Sequence, residues 1–104
     1  MTPSHRIPTV YILASRPRGS LYVGVTSSLV KRVWQHREGL VGGFTRRYGI
    51  KQLVWFEQHA SMPGAIAREK ALKQWSRAEK VALVTAVNPG WYDRWADIAA
   101  RGGG

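Results

Sequence analysis

The sequence predicts an α+β domain, a small three-stranded antiparallel sheet flanked by helices. Three observations predict it. Short β-branched and aromatic runs at 9–14 (TVYILA), 21–26 (LYVGVT) and 51–57 (KQLVWFE) read as strands. Three longer segments between and after them carry helix starts and stops. The order is β-β-α-β-α-α, and only the tight Pro- and Gly-containing segment SRPRGS separates the first two strands, so they form a hairpin with a basic tip.

Each element has its own signals. Thr26-Ser27-Ser28 offers N-cap hydroxyls for a helix reaching about Glu38, with Gly39 as its stop. Residues 41–49 (VGGFTRRYG) are Gly-rich and basic, hence a loop. Pro63 stands near the start of a helix that runs to about Trp75. Ser76-Arg77-Ala78-Glu79 matches a capping box for a helix over 77–87, and Asn88-Pro89-Gly90 ends it. The remainder ends in a loose Arg-Gly-Gly-Gly tail. The domain is expected at 9–93, with an N-terminal extension at 1–8 and a C-terminal tail at 94–104.

Length and composition restrict the function. The 104 residues fit one domain, with 44% hydrophobic residues to build one core. Cysteine is absent, which excludes disulfides, thiolate metal sites and cysteine nucleophiles. No signal-peptide or membrane-spanning run is present, so a cytoplasmic protein without membrane contact is expected. Sixteen Lys and Arg stand against six Asp and Glu, a net charge of +10. A surplus of that size self-repels in a compact fold, and polyanion binding is the commonest reason for it. Eleven of the sixteen are Arg, whose planar fork matches phosphate oxygens.

Several polar residues stand where an ordinary core would be apolar. Tyr11 and Tyr22 share a face of the sheet if the hairpin pairs Leu13, or Tyr11, with Tyr22, and a one-residue slip separates them. On the first helix Leu29, Val30, Val33 and Trp34 form an apolar arc, with Arg32 and His36 one turn apart on its edge. A side chain there projects beside the sheet without being buried. On the second helix Ala65, Glu69 and Leu72 make one stripe, so a carboxylate occupies an apolar position. Such a carboxylate is either ion-paired, with Lys73 or an arginine, or coordinates a cation. Asn88 is accounted for as a helix terminator.

In this order the residues resemble a known family. VYIL followed by LYVG is similar to the paired motif of the GIY-YIG endonuclease superfamily, with valines in place of the first Gly and of the Ile. VTSSLVKRVWQH, GFTRRYG, AIAREKALKQWSRAEK and NPGWYD extend the resemblance over about residues 9–93. It is to the small single-domain branch, similar to the N-terminal nuclease domain of the incising component of the bacterial excinuclease. The resemblance implies a shallow active site with one divalent cation. By position Tyr11 and Tyr22 are the motif tyrosines, Arg32 the helix arginine, His36 the residue one turn later, Glu69 the metal-binding carboxylate and Asn88 the distal asparagine.

The implied activity is a Mg²⁺- or Mn²⁺-dependent endonuclease acting on double-stranded or branched DNA, non-specific or structure-selective, in repair or recombination. Arg32 would hold the scissile phosphate. Tyr11 is the expected general base, provided that Arg32, Lys31 and the metal favour its phenolate, and His36 is the alternative. Arg16 and Arg18 at the hairpin tip, Lys31, Arg46 and Arg47 are candidate backbone contacts, which would be salt-sensitive and sequence-independent. Two other readings stay open: a non-catalytic DNA- or RNA-binding module with the same fold, and a basic protein that binds an acidic protein partner.

Overall fold

The structure is a computed structural model and describes residues 6–103; positions 1–5 of the expected extension and Gly104 lie outside it. Strands β1 (Thr9–Ala14), β2 (Leu21–Thr26) and β3 (Gln52–Gln58) form an antiparallel sheet of order β2-β1-β3. Five helices surround it: α1 (Leu29–Arg37), α2 (Phe44–Arg47), α3 (Met62–Gln74), α4 (Arg77–Val87) and α5 (Trp95–Gly103). No described helix is long and apolar enough to cross a membrane.

The central strand divides the core. All six residues of β1 are buried, as a strand covered on both faces must be. Val10, Ile12 and Ala14 join Val23, Val54, Trp55, Ala65, Leu72, Val84 and Trp91 in one apolar cluster against α3 and α4. Tyr11 and Leu13 turn the other way and join Val33, Ile50, Leu53 and Ile98. Each fully buried aliphatic side chain contributes about 1.5–3 kcal/mol, so both clusters hold the fold. The hairpin register pairs Leu13 with Tyr22 and Tyr11 with Gly24, which places both tyrosines on this second face.

Opposite β1, strand β3 carries a bulge. Ile12 pairs with Trp55 but Leu13 pairs with Leu53, so Val54 is the extra residue. The bulge lets two consecutive residues, Val54 and Trp55, enter the same apolar cluster. The outer edge of β3 is then covered by the segment after α4. Asn88 Nδ2 donates to the Val54 carbonyl (3.0 Å), the Leu53 amide donates to Asp93 Oδ1 (3.1 Å) and the Arg94 amide donates to the Leu53 carbonyl (2.7 Å). An exposed strand edge becomes a fastened seam.

The starts of α3 and α4 follow their signals: Ser61 accepts from the Gly64 amide with Pro63 inside the first turn of α3, and Ser76 with Glu79 forms the complete capping box of α4. At α1 Ser28 stands at the N-cap without a side-chain capping bond, and Thr26 Oγ1 accepts from the Ser28 amide instead. Three expectations fail. Residues 41–49 are not all loop: α2 forms one turn in their midst. The glycines that suggest a loop flank it, Gly43 at φ 76° and Gly49 at φ 63°, while buried Thr45 and Ile50 anchor the turn.

The tail after residue 94 is not loose either. Trp95 and Ile98, three residues apart, pack α5 into the second cluster. Asp93 prepares that helix by accepting from the Trp95 amide (3.0 Å) and gripping Arg37 of α1 (2.6 Å). Third, the buried stripe of α1 is rotated from the expected arc. Trp34 is 46% exposed, whereas Val33 and His36 are buried.

Candidate active site

The second face of the sheet contains a polar group that an ordinary core lacks. The Tyr11 ring is 1% exposed and runs across β2 over Gly24. A Cβ at Gly24 would stand 2.4 Å from the phenolic oxygen, so only glycine lets the phenol reach past the strand. Tyr22, two residues earlier on the same face, sets its ring 6.3 Å from that of Tyr11.

His36 closes the group. Its ring centroid lies 5.9 Å from Tyr11 and 5.5 Å from Tyr22. Nε2 is 3.2 Å from the Tyr11 hydroxyl and Nδ1 is 3.2 Å from Thr45 Oγ1. His36 is 2% exposed, which corrects the expectation of a residue at the solvent boundary: rotation of α1 turns it fully inward. Burial, with Arg32 one turn away, lowers its pKa to about 4, so the imidazole is neutral at neutral pH. Two neutral arrangements satisfy both contacts: the phenol donates to Nε2 while Nδ1–H donates to Thr45, or Thr45 donates to Nδ1 while Nε2–H donates to the phenolic oxygen.

Thr45 escaped the sequence reading. It is 3% exposed in α2 and holds the orientation of the His36 ring. Its signal lay in GFTRRYG, where it is the one small polar residue between an aromatic and two arginines.

The remaining charges lie around the phenol. Burial is the largest influence on Tyr11 and raises its pKa. Tyr22 and Glu69 add to the rise, while the Arg32 guanidinium opposes it. Burial thus outweighs the arginine, and without a metal ion Tyr11 holds its proton; the expected bias from Arg32, Lys31 and a metal together is a matter for the bound state.

Glu69 feels this cluster from α3, which packs along β1 and β2. Its Oε2 accepts from Lys73 Nζ at 2.8 Å, with the Glu69 side chain 13% exposed. That contact raises the Lys73 pKa, and Tyr22 adds to it. Both alternatives for Glu69 thus remain compatible, since a lysine holds one carboxylate oxygen and the other is left for a cation.

Tyr11, Tyr22 and His36 come together by direct ring contacts, and Arg32 and Glu69 lie close enough to act electrostatically on the Tyr11 phenol. Asn88 does not join them in any contact. Its amide donates to the carbonyls of Val54 and Tyr92, both at 3.0 Å, and its Oδ1 accepts from the Tyr92 amide at 3.1 Å. With every polar atom engaged by backbone, Asn88 is a structural fastener.

Arg18 stays exposed at the hairpin tip; it adopts φ 56°, lends its carbonyl to Arg77 and sets its guanidinium 6.0 Å from the Trp91 ring. Arg16, Lys31, Arg46 and Arg47 are exposed, and Arg47 lies 5.7 Å from the Tyr48 ring centroid.

Comparison with other proteins agrees with this geometry. A family model described as the GIY-YIG catalytic domain matches residues 7–82. A UPF0213 protein of Clostridium perfringens is 36% identical over 77 residues, covering 74% of this chain and 82% of that protein. A UPF0213 protein of Natronomonas pharaonis is 36% identical over 75 residues, covering 72% and 87%. The solution NMR structure of a UPF0213 protein from Bacillus halodurans is similar in fold, with a TM-score of 0.52, 30% identity and coverage of 83% of this chain and 90% of that one.

Aligned on its tyrosines, the paired motif here reads Thr9-Val10-Tyr11 and Tyr22-Val23-Gly24, so a threonine rather than a valine holds the first glycine position. Thr9 is buried and donates to the Ile7 carbonyl at 2.7 Å, which keeps its hydroxyl satisfied within the central strand. The matched span includes every member of the cluster and stops short of Asn88. A shared motif, a common sheet-and-helix arrangement and relatives of similar length point the same way: this chain belongs to the GIY-YIG family.

Proposed function

We propose that the protein is a divalent-metal-dependent endonuclease that hydrolyses DNA phosphodiester bonds, without strict sequence preference. One observation carries the reading. Two phenols and a neutral imidazole from β1, β2 and α1 pack together, with a guanidinium of α1 and a carboxylate of α3 in electrostatic reach of one phenol, on a chain of net charge +10.

The donor set suits Mg²⁺ or Mn²⁺. Among the described residues no group of three or more His, Asp or Glu side chains is placed to enclose a metal. Mg²⁺ needs no such cage, because it keeps most of its water shell and binds through one or two carboxylates plus substrate phosphate. Glu69 would hold it through the oxygen that Lys73 does not occupy. When bound, the ion would supply Lewis acidity toward the phosphate and the leaving oxygen.

The chain's own residues account for the rest. Arg32 binds the scissile phosphate and offsets the charge that develops on its equatorial oxygens. Tyr11 orients the attacking water, and as that water loses a proton to the phenolic oxygen, the phenolic proton passes to His36 Nε2. Thr45 steadies the imidazole throughout. A protonated Tyr11 beside a neutral His36 makes the base a pair, in place of a free phenolate. Exposed Arg16, Lys31, Arg46 and Arg47 supply salt-sensitive backbone contacts.

The test is nicking of supercoiled plasmid and of branched DNA with Mg²⁺ or Mn²⁺, suppressed by EDTA. Glu69→Ala is expected to lower the rate roughly 10³-fold or more, since several kcal/mol of charge stabilisation goes with the carboxylate. Wild-type activity in that variant sinks the assignment. Salt-dependent binding with no cleavage of any substrate leaves the second reading, a nucleic-acid-binding module. Cutting of branched over linear duplex would place the activity in repair or recombination.

A further inference from the structure

The cluster leaves one neighbouring feature unused. A cleft of about 270 Å³ opens between the start of β2, α2 and the first turns of α4, lined by Ser20, Leu21, Phe44, Arg77 and Lys80. Its walls combine an aromatic ring, an aliphatic side chain and two cations, and no carboxylate lines it. The nearby Glu79 is already bound to the Ser76 amide in the capping box.

Two facts about Phe44 need explaining. It is 51% exposed although a small basic protein gains nothing by leaving a phenyl ring in water, and it lies 4.9 Å from the ring of Tyr48, also 51% exposed. One turn of helix, α2, therefore buries Thr45 against His36 while presenting two adjoining rings outward. Leu21 and Phe44 are the chain neighbours of Tyr22 and Thr45, but successive strand residues point to opposite faces and Leu21 packs toward the apolar cluster, so the cleft is a separate opening beside the same chain segments.

We infer that the cleft is a subsite for one unpaired nucleotide of a bound strand, its base stacked on Phe44 and its phosphate held by Arg77 and Lys80. This rests on the nuclease reading for what the rest of the strand meets, but not for the binding itself. Arg77 is positioned in advance, since one of its nitrogens donates to the Arg18 carbonyl and its exposed five-donor fork has further N–H groups for an anion. A base that is stacked between Watson–Crick neighbours cannot reach an aromatic wall, whereas an unpaired one can. The subsite therefore prefers single-stranded or distorted DNA.

The experiment measures binding in EDTA, where cleavage cannot intervene, by fluorescence anisotropy of a labelled oligothymidylate and of a blunt duplex of equal length. Phe44→Ala is expected to weaken oligothymidylate binding about tenfold, the loss of one base–aromatic stack, and to leave the duplex nearly unchanged. Phe44→Trp should restore the single-strand affinity. Arg77→Ala and Lys80→Ala should each lower the slope of log affinity against log salt by about 0.7 on the single strand.

Equal losses on both probes, no loss at all, or failure of Phe44→Trp to rescue overturns the subsite. Because Phe44 is half exposed, circular dichroism of the variants should match wild type. A chain that never cuts DNA yet shows the Phe44-dependent preference keeps the subsite and loses the nuclease, and a chain that cuts without that preference does the reverse.

Discussion

The two faces of the sheet are built from alternate residues of the same strand, yet they serve different ends. Toward α3 and α4, β1 sends Val10, Ile12 and Ala14 into a cluster with no polar side chain. Toward α1 it sends Tyr11 and Leu13, and there a phenol, an imidazole and a threonine hydroxyl are buried and bonded in series. The apolar face gains from every atom it buries. The other disfavours the charged forms of its imidazole and its phenol, and its hydrogen bonds offset the burial of those polar groups. Stability and chemistry are thus separated by the pleat of a single strand.

The separation is broken most forcefully from the apolar side. Trp91 is 1% exposed in the apolar cluster and donates from Nε1 to Thr85 at 3.0 Å. Trp91→Ala should cost about 3–5 kcal/mol in denaturant unfolding. The cleavage rate per folded molecule should stay within a few-fold of wild type. A rate that collapses while the fold persists would mean the two faces are coupled.

The polar face is probed by pH. His36 has its folded pKa lowered from 6.5 to about 4 by burial first and by Arg32 second. An unfolded chain takes up a proton at this residue below about pH 6.5, and the folded chain refuses it until about pH 4. Stability therefore falls as pH drops through that window, by roughly 3 kcal/mol in all, and this contribution changes no further below it. His36→Gln should flatten that part of the curve, measured as unfolding midpoints across the window. Equal slopes in the two proteins would show that His36 is not buried neutral.

Most of this division was legible in the sequence. The period-2 pattern and the SRPRGS turn gave both hairpin strands their observed bounds, and the capping box gave α4 its own. These signals are local, and local chemistry decides them. Hairpin register was not legible, because either pairing satisfies the strand pattern and only packing of the finished sheet selects Leu13 opposite Tyr22.

The features that escaped share a cause. The inward turn of His36, the exposure of Trp34 and the role of Thr45 depend on how α1 rolls against α2 and α5, and glycine-rich flanks hid both of those helices. Arg32 and Glu69 could be placed on their helices by spacing. Whether Arg32 or burial would govern Tyr11 was a contest of magnitudes that only the depth of the phenol decides.

Asn88 offers the smallest and sharpest test of the division. Resemblance puts it with the catalytic group, and the structure ties it to the bulge carbonyl of Val54 and the backbone of Tyr92. If it is a fastener, Asn88→Ala leaves a buried carbonyl without its donor and lowers stability by about 1–3 kcal/mol, seen as an earlier unfolding midpoint. Cleavage by the folded fraction should be unchanged, and so should its dependence on Mg²⁺ concentration, because Glu69 lies on α3 and not on the seam along β3. The opposite pattern, unaltered stability with cleavage lost, would move Asn88 into the active site and require the segment after α4 to swing toward β2 when DNA binds. Asn88→Asp separates the cases further. A carboxylate can still accept from the Tyr92 amide but cannot donate to Val54, so a fastener loses stability in both variants, whereas a metal or phosphate contact would respond oppositely to the added charge.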